Sequence, residues 1–540
     1  MNRREFFLKS ILGLASLGFL FGYKQSNTKD QKVSTWDMET DVLVVGSGTG
    51  LVGAIRAVSQ GKDVIVIEKA SSPGGNTAIS GGVAWIPNNP VMKREGYKDS
   101  KQKTLKYLNQ LSQRQSTDEL IEAFANEGPR MVNFLEENSS LKWRVSKIMG
   151  EAAEYHTDWA GSVKKGRSIE PDVSGVEPGV LLGGHLISYL LQSFYKLGGK
   201  LITNCPATRL ISRELEDGSR EILGVSCLRN NKEILIKARK GVLLSCGGFD
   251  HNLEMKKHFL RGPSPYSLGV KTNTGDGILM AMQVGADLKN MNEVWGTTVY
   301  KDEAELAMRT NKAISLNGIT EKKFYPSCIL VNKHGKRFSN EKADYDSSWR
   351  SFHDKENWGS LEYTNIPAYQ IYDQKVREQG TLAGKTAKQK IPGWFSQSPT
   401  IEGLARKLKI DPKILKQTVD EYNKFAKNGE DLHFQRGKTS YDRMGMDDIK
   451  FAMQPLDKPP FYGAEVAPGD LGTSGGCKVN KSAEVIDALD RPIKRLCASG
   501  NNSGVGSPGT SYGGGGGTIG PALTFSFIAG KTLSTLKPWS

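Results

Sequence analysis

The sequence predicts an α/β fold in which a discontinuous Rossmann-like domain is interrupted by an inserted α+β cap domain. Three observations carry this. A strand–glycine turn–helix–strand unit begins after residue 37, a second glycine-rich turn lies near residue 515, and the composition changes between them. The boundaries that follow are 1–36 for a leader and linker, 37–295 and 471–540 for the two parts of the nucleotide domain, and 296–470 for the cap.

Taken in order, Met1–Gly22 reads as a targeting segment. Arg3-Arg4-Glu5-Phe6-Phe7 resembles a twin-arginine signal. The apolar stretch Ile11–Gly22 is too short to span a bilayer. Export is therefore expected, to a periplasmic site. No Ala-x-Ala precedes a boundary, so the leader could also stay as a membrane anchor.

Asp41–Val45 is an apolar run of buried-strand type, followed by Gly46-Ser47-Gly48-Thr49-Gly50 and a helical pattern over Leu51–Gln60. Gly61-Lys62-Asp63 turns the chain, Val64–Ile67 forms a second strand, and Glu68 ends it. This order is a βαβ dinucleotide fingerprint. The glycines permit a tight turn and close approach to a pyrophosphate, while the acid suits ribose hydroxyls. Position 51 is Leu, so the third glycine is Gly50 or Gly53.

Residues 114–137 read as a helix capped by Thr117 or Asp118. Leu201-Ile202 and Glu221–Ala238 read as strands, with a turn at Glu216-Asp217-Gly218. Gly241–Ser245 is a buried strand that runs into Gly247-Gly248, where backbone can approach a phosphate or adenosine. From Glu293 to about Gly469 the chain gains Lys, Trp and Tyr, with helices but no clear parallel strands. Gly513–Gly517 then bares five consecutive backbone units beside Tyr512. Thr518-Ile519-Gly520-Pro521-Ala522 reads as a helix start, whose free N–H groups suit an anion.

Composition excludes several classes. With 38% hydrophobic and 24% charged residues over 540 positions, the chain reads as a soluble globular enzyme. The formal charge of +15 is spread out, and no basic tract is interleaved with aromatics, which excludes nucleic acid. Weak attraction to an anionic membrane face is compatible with the charge. The six cysteines show no CxxC pair and no metal spacing, so buried free thiols and no metal are expected.

Several strings resemble the 3-ketosteroid dehydrogenase branch of the fumarate reductase/succinate dehydrogenase flavoproteins. They are Gly74–Gly82 with Trp85–Asn89, Asn273–Gly277 with Gly285–Asp287, Val331–Glu341, and Ala498–Asn502. The resemblance covers residues 38–535 and implies FAD, held non-covalently because no histidine linker is evident. It implies that Gly46, Ser47, Gly48, Gly50, Glu68 and Lys69 hold the ADP part. Gly75, Asn76, Thr77, Ser80, Gly81 and Gly82 would wrap the pyrophosphate and flavin edge. Ala207 would meet adenine. Gly247, Gly248 and Asp276 complete the nucleotide side, and Gly500, Asn501, Gly517, Thr518 and Ile519 the ribityl and pyrimidine side.

The fumarate reductases of that superfamily grip a dicarboxylate with arginines. Here the matching stretches are Trp295–Tyr300 and Thr510–Gly513, and no carboxylate clamp is visible. The resemblance therefore implies an apolar, steroid-like ketone. Tyr345, four residues beyond Glu341, would take the α-proton. Tyr512 and the Gly516 N–H would polarise the carbonyl, and Tyr155 would stabilise the Tyr345 phenolate. Hydride from the next carbon would pass to flavin N5, giving a 1,2-desaturated ketone. The second half-reaction needs an electron acceptor, for which a quinone is one candidate. Three alternatives stay open: a reductase of an enoate, a 4,5-desaturating ketosteroid dehydrogenase, and a non-catalytic FAD-retaining binding protein.

Overall fold

Among the described residues, an eight-stranded sheet carries the nucleotide fold. The computed structural model describes residues 35–147, 154–174, 181–356 and 359–539. The leader expected over 1–22 lies outside them. Met38–Val45 is central, parallel to Val64–Ile67 on one side and to Lys232–Leu244 on the other. In register, Val44 faces Val66 and Leu243. Lys200–Ile202 extends one edge, and Pro492–Ala498 lies parallel to Lys232–Leu244 from the C-terminal part of the chain. Both faces of the inner strands are covered, which is why Val64–Ile67 is uninterrupted apolar sequence and buried throughout.

The stretch read as one strand over Glu221–Ala238 is a hairpin. Arg220–Arg229 and Lys232–Leu244 pair antiparallel across Asn230-Asn231, both at positive φ (49° and 60°). Asparagine tolerates that conformation, and a two-residue turn with both φ positive matches strand twist. Ala207–Glu214 adds antiparallel to Arg220–Arg229. The helix expected over 114–137 spans Asp118–Asn138, with Thr117 Oγ1 accepting from the Leu120 N–H at 3.4 Å.

The helix after the first strand, Gly50–Val58, packs against the C-terminal helix Ile519–Thr535. Backbones meet there: a Cβ on Gly530 would lie 2.3 Å from Gly53 O. Ser526 Oγ accepts the Gly53 N–H at 3.1 Å, which satisfies a donor that the first helical turn leaves free. This contact ties the two ends of the discontinuous fold together.

A second sheet is built on the long strand Phe461–Thr473. Val294–Tyr300, Ala368–Tyr372 and Ser396–Ser398 pair with it antiparallel, Cys328–Asn332 pairs with Ala368–Tyr372, and Tyr266–Ser267 pairs with it in parallel. Alternate residues divide between two cores. Cys328, Leu330 and Tyr372 face Val376 and Phe395, while Ile329, Val331 and Ile371 face Leu404, Leu415 and Tyr422 on the helices Ile401–Leu408 and Pro412–Asn428. That is the period-2 pattern of a sheet covered on both sides. No described helix is long and apolar enough to cross a membrane. The six cysteines are free, five of them buried.

Candidate active site

The first glycine turn forms a cradle of backbone donors. Gly46 has φ +104°, and a Cβ there would lie 2.3 Å from Ser245 O, so only glycine passes. Glu68, at the end of Val64–Ile67, accepts from Ser47 N (3.1 Å) and Oγ (2.6 Å) through one oxygen and from Ala70 N (2.8 Å) through the other. The acid thus braces the turn. Among the described residues, the N–H groups of Gly48, Thr49 and Gly50 reach no protein acceptor, and they start the helix Gly50–Val58. Unpaired donors at a helix N-terminus suit a phosphate.

The other expected nucleotide residues gather around this turn. Ser47 Oγ accepts from Gly74 N at 3.0 Å, which brings Gly75–Gly82 alongside. Asn76 is committed to the protein: Oδ1 accepts from Val270 N (2.7 Å) and Nδ2 donates to Leu471 O (3.2 Å). Ser80 Oγ donates to Thr77 O at 2.7 Å, and Gly81 is exposed. Lys69 and Asp276 engage each other at 2.8 Å. Cys205 N bonds Glu68 O at 2.9 Å, so Ala207 starts its strand close to the acid. Gly247 and Gly248 sit against the side chains of Asn273 and Thr473, and Gly500 near Thr49. Asn501 Oδ1 accepts from Trp295 Nε1 at 3.1 Å.

A second donor cradle lies at the C-terminal glycine loop. Among the described residues, the N–H groups of Gly515, Gly516, Thr518 and Ile519 have no protein acceptor. The Asn502 amide Nδ2 is buried and unpartnered as well. A surface so rich in unspent donors fits a ligand with several acceptors and negative charge. Gly517 N is different, since it bonds Gly514 O at 3.0 Å.

Beside this loop Tyr155, Tyr345 and Tyr512 converge. Their rings make one cluster with Trp295 and Tyr441. Ring centroids are 5.1 Å apart for Tyr345–Tyr512, 5.9 Å for Tyr155–Tyr345 and 6.0 Å for Tyr155–Tyr512. Tyr155 Oη donates to Tyr345 Oη at 3.4 Å. Tyr345 opens the short helix Tyr345–Arg350, whose N-cap Asp344 accepts from Ser347 N at 2.9 Å. Glu341 fixes the preceding turn through Arg337 (2.8 and 2.7 Å), Arg436 (2.9 Å) and Leu330 N (3.1 Å).

Burial pushes the Tyr345 phenol up to about 12, and hydrogen bonds from the Tyr155 and Tyr512 hydroxyls work against that rise. Those two donors are themselves pushed well above the usual tyrosine range by burial and by Tyr345. Of the three, Tyr345 is therefore the phenol that ionises first. The Tyr512 and Tyr345 rings meet edge to face, with 70° between their planes.

Arg350, which donates to Thr510 O, and Arg261 are both neutralised. Arg350 pairs with Glu293 (2.8 Å) and Asp346 (3.0 Å), and Arg261 also pairs with Glu293. Neither is left to grip a carboxylate. Sequence reasoning missed Tyr441, whose ring lies 4.7 Å from that of Tyr155, and Lys323, whose Nζ lies 3.3 Å from the Tyr441 centroid. Burial draws the Lys323 ammonium down to about 7, against the pull of Asp442 and Asp344. No motif flanks either residue. Trp295 was read only as part of a missing carboxylate clamp; its ring packs 4.7 Å from Tyr512.

Comparison with known proteins agrees with this architecture. The FAD binding domain family matches residues 41–518. A 3-oxosteroid 1-dehydrogenase of Mycolicibacterium smegmatis is 33% identical, over 92% of this chain and 97% of that protein. A 4-oxocyclohexanecarboxylate 2-dehydrogenase of Sinomonas cyclohexanicum is 29% identical, over 92% of each chain. The crystal structure of 3-ketosteroid Δ1-dehydrogenase from Sterolibacterium denitrificans, in complex with 1,4-androstadiene-3,17-dione, superposes with a TM-score of 0.82. It is 29% identical and covers 92% of this chain and 99% of its own. The free donors at Gly48–Gly50 and at Gly515, Thr518 and Ile519 fit the phosphates and flavin of FAD. The chain belongs to the FAD-binding domain family, in its 3-oxosteroid 1-dehydrogenase-like branch, and is an FAD-dependent oxidoreductase.

Proposed function

We propose that the protein dehydrogenates a steroid-like 3-ketone, forming a double bond between carbons 1 and 2. The observation that carries this reading is the convergence of Tyr155, Tyr345 and Tyr512 in one buried cluster beside a loop of unpaired N–H groups. Two devices act on the substrate. Tyr512 Oη and the Gly516 N–H donate to the ketone oxygen, which makes the adjacent C–H acidic; each such donor is worth about 3 kcal/mol in a dry site. Tyr345, as the phenolate, takes the proton from C2 and becomes the phenol; Tyr155, donating to its oxygen, stabilises the phenolate beforehand. Bound FAD supplies the acceptor for the hydride that leaves C1.

The paired state of Arg350 and Arg261 argues against an enoate or dicarboxylate substrate. The 4-oxocyclohexanecarboxylate relative carries a smaller ketone in its name, and the same devices serve any ring with an acidic α-position. A quinone is the proposed electron acceptor. Export by the twin-arginine route, to the periplasm or to an uncleaved membrane tether, is the proposed location.

The test is turnover of the FAD-loaded enzyme with an artificial electron acceptor, on 3-ketosteroids, 4-oxocyclohexanecarboxylate, fumarate and cinnamate. Steroid 3-ketones turn over, with a 1,2-double bond in the product. Activity on the carboxylates alone, or desaturation at the 4,5 bond, would refute the proposal. Tyr345→Phe and Tyr512→Phe each lower kcat at least about a hundredfold, in line with loss of a base or an oxyanion donor.

A further inference from the structure

We infer that Ser168 is a positioning residue that aims the Gly516 N–H at the substrate carbonyl; the inference rests on the ketone-polarising role proposed above. Ser168 opens the strand Ser168–Pro171 and pairs antiparallel with Trp85. Its Oγ donates to Gly515 O at 2.7 Å. The Gly515 carbonyl and the Gly516 N–H belong to one planar trans peptide, so they point in opposite directions. A hydroxyl that holds the oxygen therefore sets where the hydrogen points.

The following peptide is held as well. Gly516 O accepts from Trp85 N and from Gly520 N, each at 3.0 Å. With φ at +93° and a would-be Cβ 2.5 Å from Val83 O, Gly516 has room for no side chain. The N–H between these fixed oxygens meets no acceptor among the described residues. A donor on the Gly515 carbonyl also draws electron density from that peptide, which makes its N–H a stronger donor.

Ser168 is itself held firmly. The Arg167 guanidinium next to it bonds Asp99 (2.8 and 2.9 Å), Glu154 (3.1 Å) and Gly161 O (2.8 Å), all inside the protein. Ile86 N bonds Arg167 O at 2.8 Å, which sets the strand register. Tyr107 Oη donates to Gly513 O at 2.6 Å and anchors the other side of the loop. The serine thus acts from a fixed frame on a loop whose glycines have no stiffness of their own.

The experiment uses the FAD-loaded full chain with Ser168→Ala, Ser168→Thr and Tyr512→Phe. Three quantities are read: kcat and KM on 4-androstene-3,17-dione, flavin content, and the infrared C3 carbonyl stretch of bound 1,4-androstadiene-3,17-dione labelled at C3. Ser168→Ala lowers kcat about tenfold, the factor for one orienting hydrogen bond, with KM within about twofold. Its carbonyl stretch moves back toward the value in water, while flavin content is unchanged. Ser168→Thr, which keeps the hydroxyl and suits a strand, restores kcat to within about threefold of wild type.

Wild-type kcat and stretch in Ser168→Ala, while Tyr512→Phe shifts the stretch, would overturn the role of Ser168 and leave the function standing. Loss of kcat and of flavin in Ser168→Ala with an unmoved stretch would make the residue merely structural and also overturn it. A wild-type enzyme that neither turns over the steroid nor shifts the stretch removes both readings together.

Discussion

Replacement of Tyr155 by Phe isolates one hydroxyl. The ring keeps its neighbours, Tyr441 at 4.7 Å and Tyr345 at 5.9 Å between centroids, so the cluster stays packed. What goes is the donor 3.4 Å from Tyr345 Oη. A hydrogen bond to a charged group is worth about 1.5–3 kcal/mol, and a long one takes the lower end. About 1.5 kcal/mol corresponds to roughly one pH unit in the acidity of Tyr345. Burial sets that acidity at about 12; Tyr512 also lowers it, and Asp344 and Asp346 raise it. At pH 8 the phenolate fraction is then about one in ten thousand.

For a base so far above the working pH, kcat/KM rises about tenfold per pH unit. The variant follows a parallel line about tenfold lower. The assay is the profile of kcat/KM from about pH 6 to 9.5 with an artificial acceptor, repeated with substrate deuterated at C2 to establish that proton removal is rate-limiting. Superimposed profiles for the two enzymes would refute the role of Tyr155. A plateau in both below about pH 9 would mean that the base is already ionised and is not Tyr345.

Three further outcomes are expected. Gly516→Ala places a methyl carbon 2.5 Å from Val83 O at a positive φ, so the loop shifts; kcat/KM falls about a hundredfold while flavin content holds, and wild-type kinetics would show that the loop has slack. Glu341→Gln leaves Arg337 and Arg436 buried without their shared carboxylate, a loss of about 3–5 kcal/mol measured by denaturant unfolding. Burial pushes the Glu341 carboxyl up, but Arg337 and Arg436 outweigh it and hold it at about 2. Its folded value is depressed, so the stability it contributes is full above the ordinary carboxylate range and is lost as pH falls through about 2; the deficit of the variant is flat from neutral pH to about 5 and shrinks below that. Acid precipitation releases FAD into the supernatant, and refolded flavin-free chain melts below the loaded enzyme; flavin that stays with the pellet would establish a covalent link.

The parts of this molecule that could be read from its sequence are those with short-range causes. Gly46 to Glu68 is legible because a buried strand, a bare turn, a helix and a second strand follow within one stretch. Tyr345 and Tyr512 are legible through the family resemblance, because each lies at a fixed step from a motif, the Glu341 turn and the glycine loop. The hairpin at Asn230-Asn231 was not seen, since the apolar runs on either side were read as one strand, and the two asparagines mark a turn only when both adopt positive φ. Tyr441 and Lys323 reach the cluster through tertiary packing of the cap, and no local pattern marks such residues. The neutralisation of Arg350 depends on Glu293, which belongs to a different element and is brought there by the sheet.

The parallel pairing of Pro492–Ala498 with Lys232–Leu244 has a consequence for biogenesis. A nascent polypeptide stalled before Pro492 lacks that strand and the helix that clamps Gly53. The vitamin-derived prosthetic group then has half a seat. Capture of the prosthetic group therefore waits until these distant parts of the sequence have been made and have met.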